Sequence, residues 1–515
     1  MAFPLATAES DITQAYADST QYDAVIIVSP DANLSLDANL QSILQETQKV
    51  DQRLGNSCVV IHHPKVAGGR LIHSSCGDLT RDFDDVRQVG DATRQAILEA
   101  RAAGVTKPLL IIDGLPQSPA YDNALEVAYL SACQALWQPL EAREALDENL
   151  EPISHIALLS QKPLNTDFLN GLESGKRLAR DLCGTEPERM APPRFADMCA
   201  EALAGSSVKV DVIDDQPRIE KDYPLLAAVA RASQSVTRHQ PRVIHFEYEG
   251  KGPIKQTLFL VGKAVTYDTG GADIKVGGHM AGMSRDKGGG AAVAGFMKML
   301  AELQPEGIKV VASIGAVRNS IGTDCYVADE IIKSHAGLRV RIGNTDAEGR
   351  LVMVDLLSHL REQAVKETNP QLFTVATLTG HAALAAGPYT ILIENEQARS
   401  QHLAAQLSTQ GDQWGDCIEI SRPRREDWHT VRPRSKADDI LSSNNGPSVS
   451  IARGHQFPMA FLSAASGLDK HGIHSGKPIA YTHVDIAGSG VESGNWQHDT
   501  PTAAPITALA AHYLK

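Results

Sequence analysis

Cysteine pairs are missing from this sequence. Its seven cysteines are scattered, odd in number and never spaced as C-x-x-C. This pattern argues against both a disulfide framework and a thiolate zinc site, and it is typical of reduced thiols buried in a cytosolic protein.

Positive charge and long apolar runs are scarce as well. Lysine and arginine total 48 against 62 aspartates and glutamates, which gives a net charge of −14. Phosphate binding needs clustered basic residues, so we expect neither nucleic acid nor an anionic membrane surface as a partner. The N-terminus lacks a basic region followed by an apolar one, and no apolar run is long enough to span a bilayer. We therefore expect a cytoplasmic protein.

Several common catalytic motifs are also missing. The sequence contains no H-E-x-x-H zinc helix, no G-x-S-x-G nucleophile turn and no G-x-x-x-x-G-K-[ST] phosphate loop. Any catalytic chemistry has to come from another arrangement of side chains.

The apolar patterns predict an α/β protein with two domains. In the first third, strand-like runs such as Tyr22–Ser29 and Lys107–Leu115 alternate with helical patterns at Asp84–Gly104 and Tyr121–Leu140. We place an N-terminal α/β support domain at residues 1–165. A larger α/β domain follows at 166–515, with helices predicted at Met283–Leu303 and Ala347–Leu360 and a strand or tight hairpin at Gln256–Tyr267.

Two segments of the larger domain combine charge with glycine and apolar residues. The first, Val261–Met297, contains Lys263, Asp268, Lys275 and Asp286. Charges in such surroundings are costly unless they are paired or bind a metal. The second, Asn344–Asp355, adds the side chains of Asp346, Glu348 and Arg350.

Each of these residues also has a simpler interpretation. Asp286 and Asp346 could be helix caps, and Glu348 could interact with a helix dipole. Arg350 lies four residues after Asp346, which is the spacing of a helical ion pair. Lys263 could be a surface side chain, and Lys275 a salt-bridge partner. For the whole set, two basic amines and four carboxylates beside an arginine, a site for two metal ions is the better interpretation.

Two motifs carry a family resemblance. N-T-D-A-E-G-R-L stands at 344–351, and G-K-x-x-x-x-D-[ST]-G-G-x-x-I-K runs from Gly262 to Lys275, with Asp286 eleven residues later. With these motifs the chain resembles the leucine aminopeptidase family, peptidase family M17. It is most similar to the divergent, aminopeptidase-like members.

The resemblance implies a role for each matching residue. One metal ion would be held by Lys263, Asp268, Asp286 and Glu348, and the more exchangeable one by Asp268, Asp346 and Glu348. Lys275 would polarise the scissile carbonyl, and Arg350 would hold a bicarbonate-like anion that acts as general base. Substrate binding would fall to Met283, Asn344, Thr377, Leu378 and Gly380.

The resemblance also implies a fold, an activity and an assembly. It predicts a macro-domain-like N-terminal domain and a catalytic domain with a central mixed sheet, assembled as a homohexamer from two trimers. The implied activity is removal of neutral or apolar, leucine-like N-terminal residues from peptides, with two divalent cations per subunit (Zn²⁺ or Mn²⁺, or else Co²⁺ or Mg²⁺). The alternative is a catalytically weak member that acts as a scaffold or regulatory binding protein.

Four segments depart from the family pattern. Arg318-Asn319 stands where Glu-Asn is usual, and Val327–Glu330 replaces Lys-Pro-Gly-Asp. Gly184–Met190 replaces a common Asn-x-Pro segment, and Asn495–Pro505 replaces a glycine-rich one. None of them removes a predicted metal ligand.

Overall fold

The computed structural model describes residues 3–492 and 499–515. The chain divides into two compact units. Unit 1 comprises the residues up to Ser174 together with Thr409–Cys417 and Lys515, and unit 2 comprises Gly175–Ser408 and Ile418–Leu514.

Unit 1 is built on a six-stranded sheet. Its strands are β1 Leu5–Glu9, β2 Ala24–Ser29, β3 Val59–His62, β4 Arg70–Ser75, β5 Pro108–Ile112 and β6 His155–Leu159. The spatial order is β1-β6-β5-β2-β4-β3, and every pairing is parallel except the one between β3 and β4. The central strand β2 is buried along its whole length, as expected for a parallel strand covered on both faces.

Helices complete unit 1. They are α1 Ala38–Gln48, α2 Arg87–Ala102, α3 Ala124–Leu136 and α4 Leu140–Ala145. The prediction of one helix over Tyr121–Leu140 is therefore wrong about where the helix ends. The backbone becomes extended at Trp137, and a second helix begins after Pro139. Helix α5, Thr166–Gly184, contributes residues to both units.

Unit 2 is built on an eight-stranded mixed sheet. Its strands are β7 Lys209–Ile213, β8 Arg242–Glu249, β9 Gln256–Asp268, β10 Ile308–Asn319, β13 Pro370–Ala376, β14 Thr390–Glu394, β15 Ile418–Ser421 and β17 Ala480–Asp485. The order is β15-β14-β17-β13-β9-β10-β8-β7. In the centre, β13, β9 and β10 run parallel, whereas β8 and β14 are antiparallel to their inner neighbours. The predicted mixed sheet is confirmed.

The remaining elements belong to unit 2, except that Thr409–Cys417 belong to unit 1. The helices are α6 Pro192–Leu203, α7 Gln216–Asp222, α8 Pro224–Ala230, α9 Gly288–Leu303, α10 Glu348–Ala364, α11 Gly380–Ala386, α12 Glu396–Ser400, α13 Leu403–Trp414, α14 Arg425–Thr430, α15 Phe457–Ala465 and α16 Ile506–Tyr513. Short strands β11 Ile331–Lys333, β12 Arg339–Arg341 and β16 Ile440–Leu441 form one small sheet, and β18 Val491–Glu492 and β19 Thr500–Pro501 form another. Among the described residues, no helix is long and apolar enough to cross a membrane.

Glycines allow helix α9 to lie directly against the central strands. A Cβ on Gly289 would lie 2.1 Å from the backbone oxygen of Val375 in β13, and one on Gly290 would lie 2.7 Å from the Cβ of Ala264 in β9. Only glycine fits at both positions. The close approach fixes the start of α9, and with it Asp286 just before the helix, against the ends of β9 and β13.

Candidate active site

Lys263 lies within strand β9 and is almost completely buried. Its ammonium group is 2.8 Å from Asp286 Oδ1 and 2.7 Å from Glu348 Oε1, and it donates to the backbone oxygen of Thr377 at 3.0 Å. The surface interpretation of this lysine is therefore wrong, because β9 is a central strand. A buried ammonium needs several partners of this kind.

Lys275 connects two carboxylates from different elements. Its Nζ is 2.9 Å from Asp268 Oδ2, at the end of β9, and it pairs with Asp346 Oδ1 just before helix α10. The lysine side chain is 14% exposed, so this ammonium borders the solvent-accessible part of the site. The salt-bridge interpretation describes these contacts of Lys275.

Asp346 does not cap helix α10, contrary to the helix-cap alternative. The N-cap residue is Ala347, which makes no side-chain cap bond, and the helix begins at Glu348. The carboxylate of Asp346 is directed to Lys275 instead, and its backbone N–H donates to Asn344 Oδ1 at 2.7 Å. A hydrogen bond from the Lys275 ammonium is stronger than one from a backbone N–H, which explains why the Asp346 carboxylate does not cap the helix.

Asp286 lies between a short 3-10 turn and helix α9, two residues before the helix begins. The prediction that it occupies the first turn of a helix starting at Met283 is wrong, because Gly282 has a left-handed conformation and the regular helix starts at Gly288. Asp286 Oδ1 accepts a 2.7 Å bond from Thr377 Oγ1. Its other oxygen, Oδ2, is buried without a hydrogen-bond partner among the described residues.

Arg350 faces away from Asp346, so the helical ion pair considered for these two residues does not form. Its guanidinium donates to the backbone oxygen of Ser442 at 3.1 Å and lies 4.9 Å from the ring centre of Phe457. The Nε atom is buried and lacks a hydrogen-bond partner among the described residues. Burial lowers the pKa of Arg350 to about 10, which leaves a cation at neutral pH with one donor available to an anion.

The T-L-T-G segment at 377–380 is held at the site by a buried aspartate. Asp485, at the end of β17, accepts bonds from the backbone N–H of Leu378 at 3.1 Å and from Thr379 Oγ1 at 2.7 Å. Gly380 is exposed and begins helix α11. These bonds fix the backbone of the segment beside Asp286 and Lys263.

The other two residues predicted to bind substrate occupy supporting positions. Met283 is half-buried in the 3-10 turn that leads to Asp286. Asn344 is buried, and its side chain holds the backbone of Asp346.

The carboxylates strongly perturb one another and the two lysines. Burial and the charges of Asp268 and Glu348 raise the pKa of Asp346 to about 7, and burial raises the pKa of Asp286 well above its usual range. Burial alone would lower the pKa of both lysines, but the surrounding carboxylates more than offset it and raise both values. The site is therefore rich in negative charge that bound cations would stabilise.

The donor set fits divalent cations. One carboxylate oxygen each from Asp268, Asp346 and Glu348 lies within 4.8 Å of the others. Asp286 Oδ2 supplies a further buried oxygen without a hydrogen-bond partner among the described residues. Gly349 makes room for Lys263 Nζ, since a Cβ there would lie 2.7 Å from it. This ammonium becomes a nitrogen donor only when metal binding displaces its proton. Oxygen donors and one nitrogen suit hard or borderline metal ions.

Sequence reasoning missed several residues that hold this geometry. Asn319 is fully buried and donates from Nδ2 to Asp268 Oδ1 at 2.8 Å. Tyr326 donates to the backbone oxygen of Thr345 at 2.7 Å, and Asp273 accepts from the backbone N–H of Thr345 at 2.7 Å. Only Asp273 lies within a recognised motif, and its spacing gave no sign that it ties the two motifs together.

The comparison with family models agrees with this geometry. Residues 177–510 match the model described as the cytosol aminopeptidase family, catalytic domain, Peptidase_M17. The chain belongs to this family. The matched range includes every predicted metal-binding and catalytic residue.

Individual relatives support the assignment. The chain is 41% identical over 506 residues to a Caenorhabditis elegans protein named "Putative aminopeptidase W07G4.4", which covers 96% of each chain. It is 33% identical over 322 residues to the "Probable cytosol aminopeptidase" of Chlamydia trachomatis, covering 62% of this chain and 59% of that protein.

Solved structures with low sequence identity share the fold. A mutant of tomato leucine aminopeptidase superposes with a TM-score of 0.78 at 19% identity, covering 99% of this chain and 96% of that one. A bottromycin maturation enzyme in complex with Mn superposes with a TM-score of 0.75 at 20% identity, covering 95% and 98%. At these identities the likeness concerns the fold.

Membership defines the general activity. The chain is an aminopeptidase of the M17 family, a metal-dependent exopeptidase that acts on peptides. Of the four departures from the family pattern, the last falls partly on residues 495–498, which lie outside the described residues.

Proposed function

We propose that this M17 aminopeptidase uses two divalent cations to remove neutral or apolar, leucine-like residues from the N-termini of peptides. The catalytic domain is residues 166–515, which contains the matched family range of 177–510. The macro-domain-like region 1–165 acts as its support.

The observation that carries this proposal is the convergence of charged side chains from β9, the start of α9 and the start of α10. Lys263, Asp268, Asp286 and Glu348 would hold one cation, and Asp268, Asp346 and Glu348 the other. Asp268 and Glu348 would contribute to both cations, and one oxygen of each lies within 4.8 Å of the other and of Asp346. The buried Asp286 Oδ2 has no hydrogen-bond partner among the described residues, and it would bind the cation instead.

When bound, the two cations supply Lewis-acid chemistry, because they acidify a water molecule and polarise a carbonyl oxygen. The chain's own side chains then position the substrate. Lys275 turns its ammonium from Asp268 and Asp346 towards the carbonyl oxygen, where it stabilises developing negative charge. Arg350 would hold a bicarbonate-like anion through its Nε donor, which lacks a hydrogen-bond partner among the described residues. That anion would act as the general base.

The T-L-T-G segment would orient the peptide. Its backbone is fixed by Asp485, and Thr377 also contacts the metal-binding carboxylate Asp286. The first residue of the substrate would be bound by Met283, Asn344, Thr377, Leu378 and Gly380. The apolar side chains of Met283 and Leu378 favour leucine-like residues over charged ones.

The scaffold alternative is less favoured. A catalytically weak member would be expected to lose charged groups that are costly to bury. Here Lys263, Asp268 and Glu348 remain buried and paired, and both Lys275 and Arg350 are present.

The central experiment measures hydrolysis of a leucyl chromogenic amide by the full chain. After treatment with a chelator, we expect activity to disappear and to return on addition of Mn²⁺, Zn²⁺ or Co²⁺. Asp346→Asn should lose at least 100-fold in kcat/KM while folding is retained. Asp324→Asn, which changes an exposed aspartate, is the matched control and should behave like the parent. Activity that survives complete metal removal would refute the proposal.

Substrate preference is tested with a panel of aminoacyl amides. We expect the kcat/KM for leucyl amide to exceed those for glutamyl and lysyl amides by at least tenfold. A preference for either charged residue would contradict the assigned pocket but leave the metal chemistry intact.

The assembly and location of the protein follow as part of the same proposal. We expect a cytosolic homohexamer, as the resemblance implies and as relatives named cytosol aminopeptidases suggest for location. Sedimentation equilibrium gives the subunit number directly, and a monomer at micromolar concentration would refute the assembly. Zn²⁺ and Mn²⁺ are the expected native ions, and elemental analysis of the purified protein tests this.

A further inference from the structure

A second group of metal-binding side chains lies at the other end of helix α10. His359 and Glu362 stand three residues apart on one face of this helix, and His335 lies in the loop between β11 and β12. One donor atom from each lies within 4.8 Å of the others. His359 is eleven residues from Glu348, which is about 16 Å along the helix axis, so this group is separate from the catalytic site.

Both histidines have one ring nitrogen occupied by an oxygen of the protein. Nε2 of His359 donates to the backbone oxygen of Asp222 at 2.9 Å, which leaves the lone pair on Nδ1. Nδ1 of His335 contacts the hydroxyl of Ser358 at 2.9 Å, which leaves Nε2 as the other ring nitrogen. Histidines that bind metals are oriented in this way by a second protein contact.

The loop that carries His335 is tied to the same helix. Its backbone N–H donates to Asp355 Oδ1 at 2.8 Å, and Asp355 is a fully buried residue of α10. The backbone of His335 is therefore held next to the helix that carries His359, although the two residues are distant in sequence. Such fixed positions reduce the cost of bringing the ligands together.

Charged side chains of both signs surround the group. Glu362 and Asp222 contribute negative charge, and Arg361 contributes positive charge. Arg361 donates a hydrogen bond of 3.1 Å to Oε1 of Glu362. The other oxygen, Oε2, would then be the one that binds the metal.

The two rings are stacked in this structure, with centres 3.7 Å apart and planes 29° apart. Nearly parallel rings do not direct both lone pairs at one point, so binding requires one ring to turn. His335 is the residue that can turn, because its partner Ser358 is a hydroxyl that can reorient.

We propose that His335, His359 and Glu362 bind a third divalent cation per chain, of the Zn²⁺, Ni²⁺ and Cu²⁺ class. Two imidazole nitrogens and one carboxylate oxygen are typical zinc ligands, with the fourth position taken by water. Imidazole ligands disfavour Mg²⁺ and Ca²⁺. The cation would link the loop after β11 to helix α10, whose first turn carries Glu348 and Arg350, and so has a structural role.

The test uses Zn²⁺ as the probe and compares variants of the full chain. Each protein is stripped with a chelator, reloaded with excess Zn²⁺, freed of unbound metal by gel filtration and analysed for zinc per chain. We expect His359→Gln and His335→Gln to hold one equivalent less than the parent. His474→Gln removes an exposed histidine as the matched control, and it should hold the parental amount. The test compares the zinc content of the variants with that of the parent and does not use the total zinc content of either. Its outcome is therefore independent of the two-metal site.

A second variant guards against loss of fold. Glu362→Gln changes an exposed side chain, and we expect it to weaken Zn²⁺ binding at this group at least tenfold in a competition titration, with leucyl amide hydrolysis unchanged. Crystals of the zinc-loaded parent should show an anomalous difference peak at the zinc edge among the three side chains. Equal zinc content in the parent and His359→Gln, or the absence of that peak, would overturn the proposal.

Discussion

The guanidinium of Arg318 donates a hydrogen bond of 3.1 Å to the carboxylate of Glu188. Each residue lies in a segment that departs from the family pattern, Arg318 where glutamate is usual and Glu188 in the segment that replaces Asn-x-Pro. Arg238 and His239 contact the same carboxylate, and Arg238 is the main cause that lowers the pKa of Glu188, to about 2. Two departures that look independent in the sequence are therefore one ionic cluster.

This cluster predicts an energetic coupling between the two residues. In a double-mutant cycle with Arg318→Gln and Glu188→Gln, we expect a coupling of about 0.5–1 kcal/mol in the free energy of unfolding. The value is modest because the Glu188 side chain is 47% exposed. Thermal or urea unfolding of the four proteins measures it.

An exposed pair elsewhere provides the control for that cycle. Arg425 and Glu426 are 2.9 Å apart with side chains 86% and 55% exposed, and we expect their coupling to be close to zero. Additive effects at Arg318 and Glu188, like those of the control pair, would show that the contact between these two residues does not stabilise the fold.

Gly349→Ala tests the contact between helix α10 and Lys263. An alanine usually stabilises a helix interior by about 1 kcal/mol relative to glycine. Here the new Cβ would lie 2.7 Å from Cδ, Cε and Nζ of Lys263, so we expect a loss of about 1–3 kcal/mol instead. We also expect weaker metal binding, because the displaced amine leaves Asp286 and Glu348.

Gln363→Ala, at an exposed position of the same helix, separates helix propensity from this contact. It should leave both stability and metal content near the parental values. If Gly349→Ala were as stable as the parent and retained its metal, the predicted clash between residue 349 and Lys263 would be wrong.

The residues that could be predicted from the sequence are those fixed by local spacing. Lys263 and Asp268 share one strand, and Glu348 and Arg350 share one helical turn, so a motif places them without reference to the rest of the chain. The central mixed sheet was expected from the family resemblance, whereas the apolar runs predicted only an α/β protein with two domains.

The error about Asp346 comes from competition between partners that are distant in sequence. Asp346 satisfies the local rule for a helix cap, but Lys275, which lies 71 residues earlier, offers a stronger partner. No role could be predicted from the sequence for Asn319 or Asp485, because their roles depend on which strands are neighbours in the sheet. Such relationships follow from strand order, which the sequence pattern alone does not specify.

His245 predicts how stability depends on pH. It lies in β8, with Nδ1 2.7 Å from Ser313 Oγ and Nε2 3.1 Å from the hydroxyl of Tyr223, and burial lowers its pKa from 6.5 to about 4. The unfolded chain therefore binds more protons than the folded one in this range. The stabilising contribution is complete above pH 6.5 and is lost as the pH falls towards 4, with a slope of at most about 1.4 kcal/mol per pH unit.

His245→Gln should flatten that part of the profile, because glutamine does not titrate. The measurement is the urea midpoint between pH 7.5 and 4.5, with His474→Gln as the control that should keep the parental slope. An identical slope in His245→Gln would show that His245 does not contribute to the acid dependence.

Lys275→Met tests the role of the more exposed lysine. Removing one group that stabilises developing charge typically lowers kcat by about 10²–10³-fold. We expect this loss with KM changed by less than threefold, measured with leucyl amide at saturating metal. A rise in KM at unchanged kcat would instead assign Lys275 to substrate binding alone, and loss of metal would assign it to holding Asp268 and Asp346 in place.

Asn319→Ala tests a residue that acts through a metal ligand. Asn319 Nδ2 donates to Asp268 Oδ1 at 2.8 Å and to the backbone oxygen of Thr345 at 3.2 Å, so it fixes the carboxylate and joins β10 to the second motif. Without it Asp268 can rotate, and we expect Zn²⁺ affinity to fall about 10–100-fold, as for other residues that orient metal ligands. Because the catalytic groups themselves remain, kcat should return to within a few-fold of the parent once enough Zn²⁺ is added. A competition titration with a zinc chelator and an assay over a range of metal concentrations measure both effects. A deficit in kcat that persists at saturating Zn²⁺, with normal zinc affinity, would show that Asn319 acts on the substrate and not through Asp268.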